Sequence, residues 1–149
     1  MTRVLLALLG VLVVAPLAQA ASCRDTVHAL NQQLRPHIDE AELSNALLTL
    51  NANRNARLPD HWVNKRDAQA VGWQRGHDLW DAPALNGKSI GGDRFGNRER
   101  QLPSGQWREA DLDYKGGHRN AKRLIFSRDG RRFVTVDHYN TFTEIPACQ

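Results

Sequence analysis

The sequence predicts an α+β protein in which N-terminal helices pack on one face of a C-terminal antiparallel β-sheet. Two observations support this class. Apolar residues recur at helical spacing between Cys23 and Leu50, whereas the second half of the chain carries short strand-like stretches bounded by glycine and proline turns. Helices followed by consecutive strands are typical of α+β folds, in which the helices cover one face of the sheet.

Three helices are expected. An apolar stripe over Val27–Leu34 ends before Pro36, which cannot continue a helix. Asp39 is a suitable N-cap for a second helix, which extends to Leu50. A shorter third helix is predicted over Asn64–Ala70, where the asparagine again supplies the cap.

The strands are predicted from alternation. In the hairpin-like segment Trp107–Phe126, Ala110 and Leu112 alternate with charged residues, so that one face is apolar and the other ionic. The glycines of its YKGGHRN loop permit a tight reversal. Two further strands are expected over Arg131–His138 and Thr141–Ile145.

The first twenty residues are typical of a secretory signal peptide. Arg3 precedes an apolar segment, Leu5–Leu17, and an A-x-A cleavage site follows at Ala18–Ala20. The apolar segment is too short to span a bilayer, so we expect no membrane association. Residues 21–149 then form a single domain that is secreted to an extracellular or periplasmic location.

Two cysteines, Cys23 and Cys148, lie near the two ends of this domain. A pair in an exported chain favours a disulfide, which would contribute roughly 4–5 kcal/mol by closing almost the whole chain. Lipidation of Cys23 is the alternative, and the preceding Ala-Ala-Ser fits it poorly. The cysteines and histidines show no zinc-ligand spacing.

The charge balance and the ionic segment leave two interpretations open. The net charge of +4 favours a polyanionic partner, but it is equally compatible with ordinary solubility. Five residues would together suit RNA cleavage by the 2′-hydroxyl, which needs a base, an acid and fixed positive charge: Lys65, Glu109, Arg119, Arg123 and His138. A surface cluster of ion pairs is the alternative.

Five blocks between Leu58 and Ile145 favour the reactive interpretation. They read LPDHWVNKRDAQAVGW, GKSIGGDRFGNRE, WREADLDY, RNAKR and DHYNTFTEI, in this order. This region resembles the barnase and binase type of secreted, guanyl-preferring bacterial ribonuclease. Residues 58–145 would therefore be the ribonuclease-like region, and residues 21–57 an N-terminal helical extension to which the resemblance assigns no role.

The resemblance implies catalytic roles for the same five residues. Glu109 would be the general base, His138 the general acid, Lys65 a cation near the scissile phosphate, and Arg119 and Arg123 the groups that stabilise it. No metal or cofactor is expected. We expect the site on the sheet face opposite the helices, a bell-shaped pH dependence, and a Glu109 pKa lowered by the neighbouring cations.

A base-recognition loop and its support are also implied. The residues expected to bind guanine are Phe95, Asn97, Arg98, Glu99 and Tyr139. A carboxylate such as Glu99 can accept two hydrogen bonds from the guanine N1–H and N2–H groups. Asp93 resembles a buried carboxylate that braces the positive centre.

Three positions depart from the family pattern. Gly96 replaces a serine in the recognition loop and is expected to loosen it, whereas Lys115 and His118 are expected to add positive charge near the phosphate. The resemblance also implies a small acidic inhibitor similar to barstar, acting on a monomeric enzyme. The alternatives are a non-catalytic protein that binds RNA or another polyanion on the same fold, and an antibacterial ribonuclease toxin.

Overall fold

The computed structural model describes residues 2–14 and 20–149. Residues 2–14 form neither helix nor strand, and the end of the predicted signal peptide at residues 15–19 lies outside the described chain. Within the described ranges, no helix combines the length and hydropathy needed to cross a membrane.

Each of the three α-helices begins at a side-chain cap. The helices are α1 (Cys23–Asn31), α2 (Glu40–Ala52) and α3 (Lys65–Ala70). Asp39 Oδ1 accepts from the backbone N–H of Glu42, and Asn64 Oδ1 accepts from that of Asp67. Both predicted caps are confirmed.

Six strands form one sheet in the order of the chain: β1 (Trp62–Val63), β2 (Ser89–Phe95), β3 (Trp107–Asp111), β4 (Arg123–Ser127), β5 (Arg132–Thr135) and β6 (Thr143–Glu144). The α+β class is confirmed, but the expectation of an antiparallel sheet is wrong at one edge. β1 and β2 are parallel, because α3 and two short 3₁₀ helices, Leu79–Asp81 and Pro83–Leu85, carry the chain back before β2 begins. The remaining pairs are antiparallel.

The last two strands are shorter than predicted. β5 ends at Thr135, because the backbone of His138 and Tyr139 turns through φ values of +54° and +70° that no strand can hold. β6 covers only Thr143–Glu144.

Alternation along β3 divides the sheet into two faces. Ala110 lies opposite Leu124 of β4, and both pack in one core with the buried leucines of α1 and α2. Trp107 and Ile125 belong to a separate apolar cluster with Phe95, Phe133 and Phe142. Because neighbouring side chains on a strand point to opposite faces, Glu109 projects on the side of Trp107, away from Ala110.

A disulfide joins the two ends of the domain, as predicted. The Cys23 and Cys148 Cα atoms are 4.8 Å apart. Backbone hydrogen bonds from Cys23 N to Gln149 O and from Gln149 N to Ala21 O hold the same ends together. The C-terminal residues are thereby attached to the start of α1, so the N-terminal extension is an integral part of the fold.

Candidate active site

Glu109 lies half-buried on β3, and its carboxylate accepts a hydrogen bond of 3.0 Å from the Tyr139 hydroxyl. Burial raises the pKa of Glu109, although the hydrogen bond from Tyr139 and the charges of Arg123 and Lys65 oppose that rise. The expectation of a lowered pKa was therefore wrong, because desolvation outweighs the surrounding cations. Burial and the Glu109 charge also raise the pKa of Tyr139 to about 12, so its hydroxyl remains a donor.

Asp111 organises the positive centre. Its carboxylate is 1% exposed and accepts two hydrogen bonds from Arg119, at 2.6 Å from Nε and 2.7 Å from Nη2. The fork geometry fixes the plane of the guanidinium, and the hydrogen bonds that Arg119 donates to Asp111 raise the pKa of Arg119 further. Arg119 thus keeps its charge and its orientation beside the cleft.

Arg123 shares the same carboxylate. It lies opposite Asp111 in the β3–β4 register, and its Nε is 3.0 Å from Asp111 Oδ1, although the N–H is not directed at that oxygen. Its Nη1 donates instead to the carbonyls of Asn120 and Lys122. Arg123 is 3% exposed, so its charge acts on the site from the protein interior rather than from the surface.

Sequence reasoning missed Asp111. The carboxylate between the arginines is not Asp93, which is only half-buried and accepts the backbone N–H of Lys65 at 3.0 Å. Asp93 therefore holds the start of α3, where Lys65 is the first residue, rather than the arginines. The signal for Asp111 was its place two residues after Glu109 and directly opposite Arg123, which only the hairpin register reveals.

His138 is presented by a turn that Asp137 stabilises. The Asp137 carboxylate accepts from Thr135 Oγ1 at 2.8 Å and from Thr141 N and Oγ1 at 2.9 and 2.6 Å. The backbone N–H of His138 donates to Ala121 O, which ties the turn to the segment before β4. The imidazole is exposed, and its ring centroid lies 4.8 Å from that of Tyr139.

A cleft of about 420 Å³ brings most of the predicted residues together. Glu109 and His138 line it alongside all five of the expected base-binding residues: Phe95, Asn97, Arg98, Glu99 and Tyr139. Phe95 and Tyr139 stack within it, with ring centroids 5.3 Å apart and planes 19° apart. A carboxylate and an imidazole therefore line the same cleft as a stacked pair of aromatic rings.

The loop that we predicted to bind guanine is held together by the Asn97 amide. Asn97 Nδ2 donates to Leu102 O at 2.8 Å, and its Oδ1 accepts from Leu102 N at 3.1 Å, so this side chain closes the loop. Arg98 and Glu99 are exposed, and neither forms an ion pair with another described residue. Their polar groups remain available to a ligand.

Lys65 and Arg119 line a neighbouring cavity rather than the cleft itself. They nevertheless act on the same group, because the charge of Lys65 contributes to the Glu109 pKa and the charge of Glu109 contributes to that of Arg119. His118 lines this cavity, whereas Lys115 pairs with Asp39 at 3.9 Å, at the start of α2. Lys115 does not line this cavity, so the expectation that it adds positive charge beside Lys65 and Arg119 is wrong.

The described part of the chain contains no group of three or more histidine, cysteine, aspartate or glutamate side chains that could hold a metal ion. The cleft offers a half-buried carboxylate and an exposed imidazole, and the cations lie beside it, in the neighbouring cavity and in the protein interior. Such a set can move protons and can stabilise an anion.

Comparison with known proteins agrees with this arrangement. A family model described as ribonuclease matches residues 48–146. Ribonucleases of Bacillus intermedius and Bacillus pumilus are 50% identical to the chain over 97 residues, which cover 62% of this chain and 58% of each relative. A ribonuclease of Heyndrickxia coagulans is 50% identical over 97 residues, covering 62% of this chain and 86% of the relative.

The chain thus spans little more than half the length of the Bacillus relatives and most of the Heyndrickxia one. The family match includes every candidate catalytic residue, from Lys65 to His138. With the sequence blocks, the fold and the matched region in agreement, the chain belongs to the ribonuclease family, of the barnase and binase type.

Proposed function

We propose that the protein is an endoribonuclease that cleaves single-stranded RNA, preferentially 3′ of guanosine, by transesterification followed by hydrolysis. The observation that carries this proposal is the shared cleft: Glu109 and His138 line one cavity, and the arginines around Asp111 lie within electrostatic reach of it. The reaction needs those groups in that combination.

In the first step the ribose 2′-oxygen attacks the adjacent phosphorus. Glu109, as the carboxylate, takes the 2′-hydroxyl proton while His138, as the imidazolium, donates a proton to the departing 5′-oxygen. The P–O5′ bond breaks and a 2′,3′-cyclic phosphate forms. In the second step the roles reverse: His138 takes a proton from water and the water oxygen attacks phosphorus. The P–O2′ bond breaks, and Glu109 returns its proton to the departing 2′-oxygen.

The raised pKa of Glu109 suits this role. A base is most effective when its pKa approaches the working pH, and burial moves the Glu109 pKa in that direction. The Tyr139 hydroxyl, at 3.0 Å, keeps the carboxylate oriented. Because the 2′-hydroxyl is the nucleophile, DNA can bind but has no group with which to begin the reaction.

The cations place positive charge where the transition state gains negative charge. Arg119 offers a guanidinium whose Nε and Nη2 are both held by Asp111, so the ordering cost is met before the substrate arrives. The buried Arg123 adds its charge from the protein interior. Lys65, whose backbone N–H is held at the start of α3 by Asp93, adds a point charge.

Guanine preference rests on the exposed end of the cleft. The unpaired Glu99 carboxylate can accept the guanine N1–H and N2–H groups, while Arg98 or backbone N–H groups can donate to O6. Gly96 has an ordinary backbone conformation, and an added β-carbon would meet only the Arg98 side chain, at 3.5 Å. Replacing Gly96 with serine should therefore be tolerated and should strengthen the preference.

We further propose that residues 1–20 direct export and that residues 21–149 act as a monomeric domain outside the cytoplasm. The disulfide and the signal-like sequence support this location. The cationic site would also suit a small acidic inhibitor similar to barstar, for which salt-sensitive binding is the test.

A dinucleotide panel tests the function. Cleavage of GpA, ApA and UpA is measured in EDTA, with detection of the cyclic phosphate, for the wild-type protein, for Glu109→Ala and for His138→Ala. We expect the wild type to cleave GpA fastest and both variants to lose most of their rate. Binding of RNA without any cleavage by the wild type would favour the non-catalytic alternative.

A further inference from the structure

A cavity of about 390 Å³ lies on the helix-covered face of the sheet, away from the cleft. It is formed by the end of α2 with the turn that follows, by the β4–β5 turn, and by the chain around Cys148. Arg132 of β5 lines it, and Val134, two residues further along the strand, packs in the core with the helices. Because Glu109 projects on the opposite face, this cavity is separate from the candidate active site.

Arg132 is a buried cation whose hydrogen-bond partner is neutral. The residue is 7% exposed, and its Nε and Nη2 both donate to Asn55 Oδ1, at 3.0 and 2.6 Å. Asn55 is itself buried, and its Nδ2 donates to Ser127 O at 2.8 Å. The amide therefore fixes the guanidinium without supplying negative charge, and a buried charge with no counter-charge costs free energy.

The contrast with Arg119 shows what Arg132 lacks. Asp111 raises the pKa of Arg119, whereas burial lowers the pKa of Arg132. Among the residues that the structure describes, no carboxylate pairs with Arg132. Its Nη1 donates to no atom in the described ranges, and it is not enclosed by the protein. One end of a fixed, buried guanidinium thus remains available to a ligand in the cavity.

Two further arginines surround this end. Arg54 and Arg128 are exposed and line the cavity, and neither is ion-paired within the described part of the chain. The acidic residue in the lining is Asp129, whose carboxylate already accepts from Arg131 Nε at 2.7 Å and from Arg131 N at 3.0 Å. Positive charge is therefore in excess around the available end of Arg132.

We propose that this cavity binds a phosphate group, which accepts hydrogen bonds from Arg132 Nη1 inside and from Arg54 and Arg128 at the rim. Guanidinium groups match the oxygens of phosphate in geometry and in charge. None of these arginines takes part in the proposed cleavage, so the site goes beyond it. A free phosphate ion and the backbone of a nucleic acid offer the same oxygens, and the experiment separates these two sources.

The test is an NMR titration of the ¹⁵N-labelled protein with inorganic phosphate at constant ionic strength, because its signals report on each phosphate site separately. We expect saturable shifts of the Arg132 Nε–Hε signal, the Asn55 side-chain amide and the Gly130 N–H. Their midpoint should differ from that of any shift at His138. Arg132→Met should weaken this binding roughly tenfold or more, as the loss of one charged hydrogen bond implies.

The double variant Arg54→Gln, Arg128→Gln provides a second test that does not alter the protein interior, since both side chains are exposed. It should also weaken phosphate binding at the Asn55 and Gly130 signals roughly tenfold. Arg66→Gln is the matched control, because Arg66 is exposed on α3 and does not line the cavity. Unshifted signals in the wild type, undiminished binding in the double variant, or an equal loss in Arg66→Gln would overturn the site.

A thymidine hexadeoxynucleotide, which has no 2′-hydroxyl, identifies the source of the phosphate. If it shifts the Arg132 and Gly130 signals and inorganic phosphate displaces it, the site takes the backbone of a nucleic acid. If only inorganic phosphate shifts them, the site takes the free ion. The double variant should cleave GpA within about twofold of the wild-type rate, so the proposed function and this site can fail independently.

Discussion

Glu109 and Asp111 are two carboxylates on the same face of β3, and they have opposite surroundings. Asp111 is buried between Arg119 and Arg123, and its single negative charge offsets part of their positive charge. Glu109 is half-buried and receives one hydrogen bond, from the neutral Tyr139 hydroxyl. One carboxylate is committed to holding cations, whereas the other has a raised pKa and can exchange a proton.

The difference shows how neighbouring positions on one strand acquire separate roles. A carboxylate that faces two guanidiniums organises the site, and its removal would leave charges stranded. A carboxylate that desolvation has destabilised as an anion is suited to take a proton. The substitutions that follow test this division, starting with the largest expected effect.

Replacing Asp111 with asparagine should cost about 3–5 kcal/mol in the free energy of unfolding, because the buried Arg123 and the half-buried Arg119 lose their counter-charge. Cleavage should also fall by roughly 100-fold, since the arginines lose their fixed orientation. Urea unfolding and dinucleotide kinetics measure the two effects. The matched control is Asp129→Asn, which weakens the exposed pair with Arg131 and should cost at most about 1 kcal/mol. Equal costs for both variants would contradict the organising role of Asp111.

Replacing Glu109 with glutamine should stabilise the fold at neutral pH. The folded-state pKa of Glu109 is raised, so its contribution to stability is fully present below the unfolded pKa and is lost as the pH rises through the folded pKa. The glutamine variant avoids that loss. Urea unfolding at several pH values should show a gain near pH 7 that disappears below about pH 4. A gain in unfolding free energy that increases on acidification would contradict the raised pKa of Glu109.

Replacing Tyr139 with phenylalanine should raise the pKa of Glu109 further, because the Tyr139 hydrogen bond lowers it. The acidic limb of the pH–rate profile, where Glu109 becomes protonated, should then move to higher pH. The chain's other tyrosine provides the control: Tyr114 contacts Asp78 and not Glu109, so Tyr114→Phe should leave that limb in place. An unchanged acidic limb in Tyr139→Phe would show that the Tyr139 hydroxyl does not influence the pKa of Glu109.

The smallest effect is expected for Asp93→Asn. Among the residues that the structure describes, the Asp93 carboxylate accepts only the Lys65 backbone N–H. Asparagine can still accept it, so the loss is limited to the charge at the start of α3. We expect less than about 1 kcal/mol in unfolding free energy and only a few-fold change in cleavage. Effects as large as those of Asp111→Asn would indicate that Asp93 does brace the positive centre, as first expected.

The fold was largely predictable where local chemistry decides it. Asp39 and Asn64 cap the helices that they were expected to cap, and the cysteines at the chain ends are joined. The parallel edge of the sheet was not predictable, because β1 contains two residues and carries no periodic signal. The length of β5 was overestimated, since the alternation continues past the point where the Asp137 turn begins.

The structure brings most of the predicted site residues together in one cleft and its neighbouring cavity, whereas their energetics were less predictable. Charged side chains in the five blocks that resemble the ribonuclease family suggested the acid, the base and the cations. They did not indicate how deeply Glu109 lies, and its burial reverses the expected direction of its pKa shift. The role of Asp111 depends on which residue faces it across the hairpin. Burial and register are properties of the assembled sheet, which residue types alone do not determine.

The central claim is that Glu109 takes the 2′-hydroxyl proton. It is tested most directly by the single-turnover rate of cyclic phosphate formation from GpA, in the wild type and in Glu109→Gln, at saturating enzyme and neutral pH. The claim predicts a loss of about 10²–10⁴-fold in this rate for the glutamine variant, with the fold and guanine binding retained. A wild-type rate in a folded Glu109→Gln protein would contradict it.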